Sequence, residues 1–170
     1  LGEEEKLLER GKLFTKAMAV CCKQKYATGV YTSGVVFEPR FYEGLADMLK
    51  EDELPIFNWV WFGLYRSEGG LNGYTYGMDV FGKEEMEVLN TDAEPEELRD
   101  FLASLASYVL ACDVTLQDGE TIGFSADDKH TITRSPGVSL PEEQMTLKIG
   151  YEPIKGDPED DSCDHSDNDD

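Results

Sequence analysis

From Pro55 to Arg66 the chain is apolar on both sides of a period-two alternation. Phe57, Trp59, Trp61 and Tyr65 fall on one face, and Ile56, Val60, Phe62 and Leu64 on the other. A strand that cannot leave either face in water is normally central and covered by other layers, so this segment predicts the middle of a sheet. Ser67 to Gly73 reads as a flexible turn into Tyr74–Met78, which makes the two runs an antiparallel hairpin, with Gly77 marking a bulge or a close backbone approach. Glu85-Met86-Glu87-Val88-Leu89 alternates cleanly and predicts a half-exposed strand.

Helical periodicity appears three times. Glu3 to about Lys25 places Leu7, Phe14, Ala17, Met18 and Cys21 on one stripe, with Gly11 marking either a close backbone approach or fraying. Pro39 suits the first position of a helix carrying Phe41, Tyr42, Leu45, Met48 and Leu49. The strongest pattern begins near Asp92 or Glu94, where Pro95 is followed by Leu98, Phe101, Leu102, Leu105, Val109 and Cys112. Shorter β-prone runs stand at 28–32, 35–37, 121–123, 131–134 and 145–149, the first two forming one bent strand or two short ones around Ser33-Gly34. The order predicts an α+β fold in which helices pack on an antiparallel or mixed sheet, and ferredoxin-like elements are compatible with it.

Charge changes the picture of what the chain can meet. The 170 residues carry 36 acids and 15 bases, a net charge of -21, which repels phosphate backbones and anionic lipid and excludes nucleic acid as a natural partner. The last fifteen residues hold eight acids and no base, which leaves -13 (28 acids, 15 bases) for residues 1–155. The expectation is one α+β domain over 1–155 and a disordered acidic tail over 156–170. No stretch reaches the ~20 apolar residues that cross a bilayer. The chain starts at Leu1, directly in helical pattern, so upstream sequence is expected and a missing amino-terminal domain is one candidate partner. Cys21, Cys22, Cys112 and Cys163 form no disulfide framework, which points to the cytoplasm.

Ser33-Gly34-Val35, Gly77-Met78, Phe81-Gly82, Glu85-Met86-Glu87-Val88 and Asp118-Gly119-Glu120-Thr121-Ile122-Gly123 give the chain, over about residues 10–150, a resemblance to a bacterial family known as the domain of unknown function 4261. The resemblance implies that this kind of segment forms the carboxy-terminal part of a longer protein. It implies no activity, and the acidic tail has no counterpart in the family pattern.

Candidate chemistry is sparse. Carboxylates at strand ends and turns include Glu38, Asp79, Glu85, Glu87 and Asp118, with His130 in a nearby loop. Glu85 and Glu87, two apart on one strand, would project together at roughly 7 Å, a spacing compatible with paired-acid hydrolysis, although a Glu-x-Glu in so acidic a chain is more often a solvated face. Cys163 and His165 supply metal-ligand types but lack the second pair that a structural zinc site needs. Adjacent Cys21 and Cys22 read as one core residue and one bystander. No phosphate loop, dinucleotide fingerprint or nucleophile elbow occurs, and no cofactor is implied. The leading expectation is therefore a non-catalytic protein-interaction module whose contact surface is the aromatic hairpin, Phe57, Trp59, Trp61, Tyr65, Tyr74 and Tyr76, although rings in such a cluster are more often core beneath a helix. The alternatives are a hydrolase or metal-dependent enzyme built on Glu85, Glu87, Asp118 and His130, and an acidic immunity-type or scaffold protein binding a basic partner.

Overall fold

A computed structural model describes residues 2–123 and 129–152 of the chain. The expected acidic tail with Cys163 and His165 lies outside these residues. Helix α1 spans Glu3–Cys22 and is followed by a hairpin of β1 (Val30–Thr32) and β2 (Val35–Phe37). Its two-residue turn sets both Ser33 and Gly34 at positive φ (49° and 75°), the mirror-image geometry that matches strand twist. Helix α2 (Pro39–Ala46) begins at its proline, capped by the Glu38 carboxylate accepting from the Phe41 amide at 2.9 Å. Next come a 3-10 turn at Asp47–Glu51, the single helical turn α3 (Ile56–Trp59) and the hairpin of β3 (Trp61–Ser67) and β4 (Gly70–Tyr76). The remainder is β5 (Met86–Thr91), α4 (Pro95–Ala111), β6 (Thr121–Ile122), β7 (His130–Pro136) and β8 (Met145–Ile149).

Six strands form one mixed sheet in the order β3-β4-β5-β8-β7-β6. Two antiparallel triplets, β3-β4-β5 and β6-β7-β8, meet where β5 and β8 run parallel, with Met86 opposite Leu147 and Glu87 opposite Lys148. The α+β architecture is the expected one, but the centre of the sheet is not. The segment 56–66 is not one covered strand: its first four residues make a helical turn, and the rest is an edge strand. The central position belongs to β5, whose Met86, Glu87 and Val88 are all buried, so the strand expected to be half-exposed is covered on both faces.

Helix α4 covers one face. Its Leu98, Leu102 and Leu105 are fully buried, each contributing about 1.5–3 kcal/mol by leaving water, while Cys112, expected on the same face, is exposed just past the helix end. Gly73 of β4 gives this helix room, since a Cβ there would lie 2.9 Å from Leu102 Cδ1 and 3.0 Å from Leu98 Cδ2. The other face is crossed by the loop between β7 and β8, whose attachment to Glu87 is described below.

Helix α1 is rotated from the expected orientation. It packs through Leu8, Gly11, Thr15, Met18 and Cys22, a three-and-four spacing in which two of five positions are not apolar. The helix runs unbroken through Gly11, and a Cβ there would stand 2.7 Å from the Phe81 ring, so the glycine serves a close approach and not a frayed end. The apparent stripe faces outward instead: Phe14 and Cys21 are exposed, as are Leu13 and Val20. A second, smaller core of Cys22, Val30, Phe37 and Tyr42 joins α1, α2 and the β1–β2 hairpin.

Candidate functional site

The aromatic residues of the 57–76 region divide into one buried anchor and a surface stripe. Trp59 is only 5% exposed; its indole N–H donates to Thr15 Oγ1 at 2.7 Å, and its ring lies 4.9 Å from that of Phe81. It belongs to the core and not to the expected contact face. Trp61 and Tyr76, paired across β3 and β4, are 46% and 49% exposed. Tyr65 is exposed on the same face, its hydroxyl 3.0 Å from Ser139 Oγ. Tyr74, half-buried between them, lays its ring over Gly63, where any Cβ would stand 2.2 Å from Tyr74 Cζ. Phe57 sits at the stripe's end, edge-on to Phe62 with centroids 5.4 Å apart.

Two apolar grooves flank the stripe. One, of about 610 Å³, runs between Val36, Phe41, Phe57 and Trp61, with Glu38 and Arg99 also among its walls. The other, of about 800 Å³, is walled by Leu13 and Phe14 of α1 together with Tyr76 and Val80, and Trp59 and Phe81 also line it. Because Trp61 lines the first groove, Tyr76 lines the second, and the two are register partners, the stripe connects both. Val36, Phe41, Leu13, Phe14 and Val80 are exposed surface that the sequence reading missed. Phe41 and Phe14 fall on helix stripes that periodicity alone predicts to be buried. The available signal was the run Val35-Val36-Phe37, since a pleated strand sends Val36 to the face opposite its two neighbours.

Strand β3 pairs with β4 without a register shift from Trp61 opposite Tyr76 to Ser67 opposite Gly70. Among the described residues its other edge meets no strand and no backbone hydrogen bond. That edge contains neither proline nor bulge, two devices by which natural sheets block further pairing.

The carboxylates are placed differently from a solvated face. Glu85 is 1% exposed; one oxygen accepts from the backbone N–H of Gly77 and Met78 at 2.7 and 2.9 Å, with Asp79 N at 3.4 Å, and the other from Thr75 Oγ1 at 2.7 Å. Burial pushes its pKa above the ordinary glutamate value, with the donors from Thr75, Gly77 and Asp79 acting in the opposite direction. Glu87 is completely buried and holds the β7–β8 loop. Its Oε1 accepts from the amides of Val138, Ser139 and Leu140, and its Oε2 from Thr146 Oγ1 at 2.6 Å, with Lys148 Nζ at 2.8 Å. Burial raises the Glu87 pKa, but Lys148, Thr146 and the amides of Ser139 and Val138 outweigh it and hold the carboxyl below its usual range.

Glu85 and Glu87 therefore anchor two different loops. Asp118 accepts from the Arg134 amide at 2.7 Å, Asp79 is exposed, and Glu38 caps α2. His130 is not in a surface loop: it begins β7, is buried, holds Gly150 O at 2.8 Å through Nδ1 and packs against the rings of Phe101 and Tyr151. Among the described residues, Glu85, Glu87, Asp118 and His130 are held by different groups: the amides after β4, the β7–β8 loop, the Arg134 amide and the Gly150 carbonyl. Cys22 lies in the smaller core, where burial pushes its thiol pKa up, and Cys21 is exposed. Among the described residues no three His, Cys, Asp or Glu side chains stand together as a metal site, and no helix is long and apolar enough to cross a membrane.

The family described as Domain of unknown function (DUF4261) matches residues 74–150, which takes in most of the sheet and α4. No curated protein matches the chain, and no solved structure does.

Proposed function

With residues 74–150 matching the family described as Domain of unknown function (DUF4261), a description that carries no activity, we propose that the chain is a non-catalytic protein-contact module working through its aromatic hairpin. The contact surface is Trp61, Tyr65 and Tyr76, with Phe57 beside them. The observation that carries this reading is the stripe itself: large aromatic rings left in water on one continuous face, between two apolar grooves. Contiguous exposed apolar surface of this kind marks interaction sites, and tryptophan and tyrosine dominate the energetics of such sites. The acids that could have supported hydrolysis already serve the fold, which favours contact over chemistry. Free thiols at Cys21, Cys22 and Cys112 support a reducing, cytoplasmic setting.

A photo-cross-linking residue placed at Tyr65 or Tyr76 of the full chain tests this in cells. The expected result is a discrete protein adduct that is absent when the same residue replaces Thr121, at the opposite edge of the sheet. Equal capture at both places would overturn the reading.

A further inference from the structure

We propose that the open edge of β3 takes an extended segment of a basic partner protein as an added strand, with aliphatic side chains facing inward and Lys or Arg facing outward. This rests on the protein-contact reading and specifies its mode. The edge is regular over seven residues and has no backbone partner among the described residues outside β4, so an incoming chain finds an uninterrupted row of donors and acceptors.

Side-chain recognition follows from the pleat. Phe62 and Leu64 point toward the layer of α4, and the groove of Val36, Phe41 and Phe57 adjoins them at the strand's start. An added strand would therefore place every second residue over apolar surface. The intervening residues would lie beside Trp61 and Tyr65, whose exposed rings accept cations on their faces.

Charge selects the occupant. A second copy would bring another -21, whereas a cationic chain is drawn in by the field of the whole molecule. The charged side chains closest in sequence or lining the groove, Arg66, Glu68, Glu38 and Arg99, balance one another, so the attraction is long-range and is weakened by salt.

A labelled heptapeptide of alternating Lys and Val, titrated against the full chain by fluorescence anisotropy, tests the proposal. Saturable binding is expected, weakened at least about tenfold, or roughly 1.4 kcal/mol, by Trp61→Ala. The backbone gives the decisive signature. N-methylation of one alternate set of residues should abolish binding while methylation of the other set leaves it, because only one set directs its N–H groups at β3.

Tolerance of both methylated sets would mean contact without strand addition, which overturns this proposal and leaves the protein-contact reading to the cross-linking result. A Glu-Val heptapeptide binding equally well, or no binding by either peptide, would also overturn it. So would a dimer in solution that Trp61→Ala dissociates, since that assigns the edge to a second copy.

Discussion

Replacing Glu87 with glutamine keeps the shape of the side chain and removes its charge, and the geometry shows why an amide cannot substitute. The amides of Ser139 and Leu140 converge on Oε1, that of Val138 is shared between both oxygens, and Thr146 and Lys148 address Oε2. A glutamine carbonyl can face one set only, and its NH₂ then confronts donors of the other. Breaking a buried ion pair by changing one partner costs about 3–5 kcal/mol. Lys148 retains the Ser135 and Pro136 carbonyls and Thr146 Oγ1 as acceptors, which places the loss near the lower end, about 3 kcal/mol. With a urea dependence of roughly 2–3 kcal/mol per M, the unfolding midpoint should fall by about 1–1.5 M at pH 7. Amide exchange should rise first in residues 138–140.

The pH dependence has a definite sign. The folded-state pKa of Glu87 lies below the ordinary 4.5, so the unfolded chain takes up the proton first as pH falls. The stabilisation is fully present above that value and is lost as pH drops toward the folded one. Protonated Glu87 resembles glutamine, so wild type and variant should converge in acid. A midpoint shift below about 0.3 M at pH 7, or a gap that persists undiminished at pH 3, would refute this account of the loop's attachment.

Glu85→Gln should behave oppositely. Its folded pKa is raised, so its contribution is complete below 4.5 and is lost as pH rises through the folded value; the variant should show a flatter stability profile above pH 4.5, checked by urea midpoints across pH 4–7. Trp59→Phe removes the hydrogen bond to Thr15 and should cost about 1–2 kcal/mol, or roughly 2–8 °C in Tm, whereas Trp61→Phe should leave the thermal midpoint unchanged; equal losses would contradict the division into anchor and stripe. Gly77→Ala forces a side chain onto a φ of 118° with its Cβ 2.5 Å from Trp59 O, and a loss of about 3 kcal/mol is expected from thermal melts; a variant as stable as wild type would refute the close approach.

Helix α4 and the antiparallel pairing of β3 with β4 were legible because their patterns are answered by a single neighbour: Leu98, Leu102 and Leu105 all meet one sheet face, and β3 meets the next strand in the chain; the turn was not, since Ser67 and Gly70–Gly73, expected in a flexible turn, are paired strand. Helix α1 was misread because its buried face uses Gly11 and Thr15 for close approach, while Leu13, Phe14 and Val20 remain outside. Hydrophobic periodicity locates a helix more reliably than it locates the buried side when small residues make the contact. The 56–66 run satisfied a strand pattern throughout, yet Pro55 begins one helical turn whose Asn58 is buried against the Tyr42 carbonyl. Glu85 and Glu87 looked solvated because nothing local shows their partners; the amides that surround Glu87 arrive from more than fifty residues downstream. The contact stripe was visible through its aromatics, whereas the grooves beside it depend on tertiary placement of Val36, Phe41 and Val80.

The parallel seam between β5 and β8 has a consequence for how the molecule assembles. Each antiparallel triplet can zip from turns between sequence neighbours, but the seam joins residues about sixty positions apart through only two registered pairs. Closing a span of that length carries an entropy cost before any pairing rewards it. The seam is therefore expected to close late, after α4 has docked, and Glu87 with Lys148 then acts as the latch that makes two independently formed halves a single cooperative sheet.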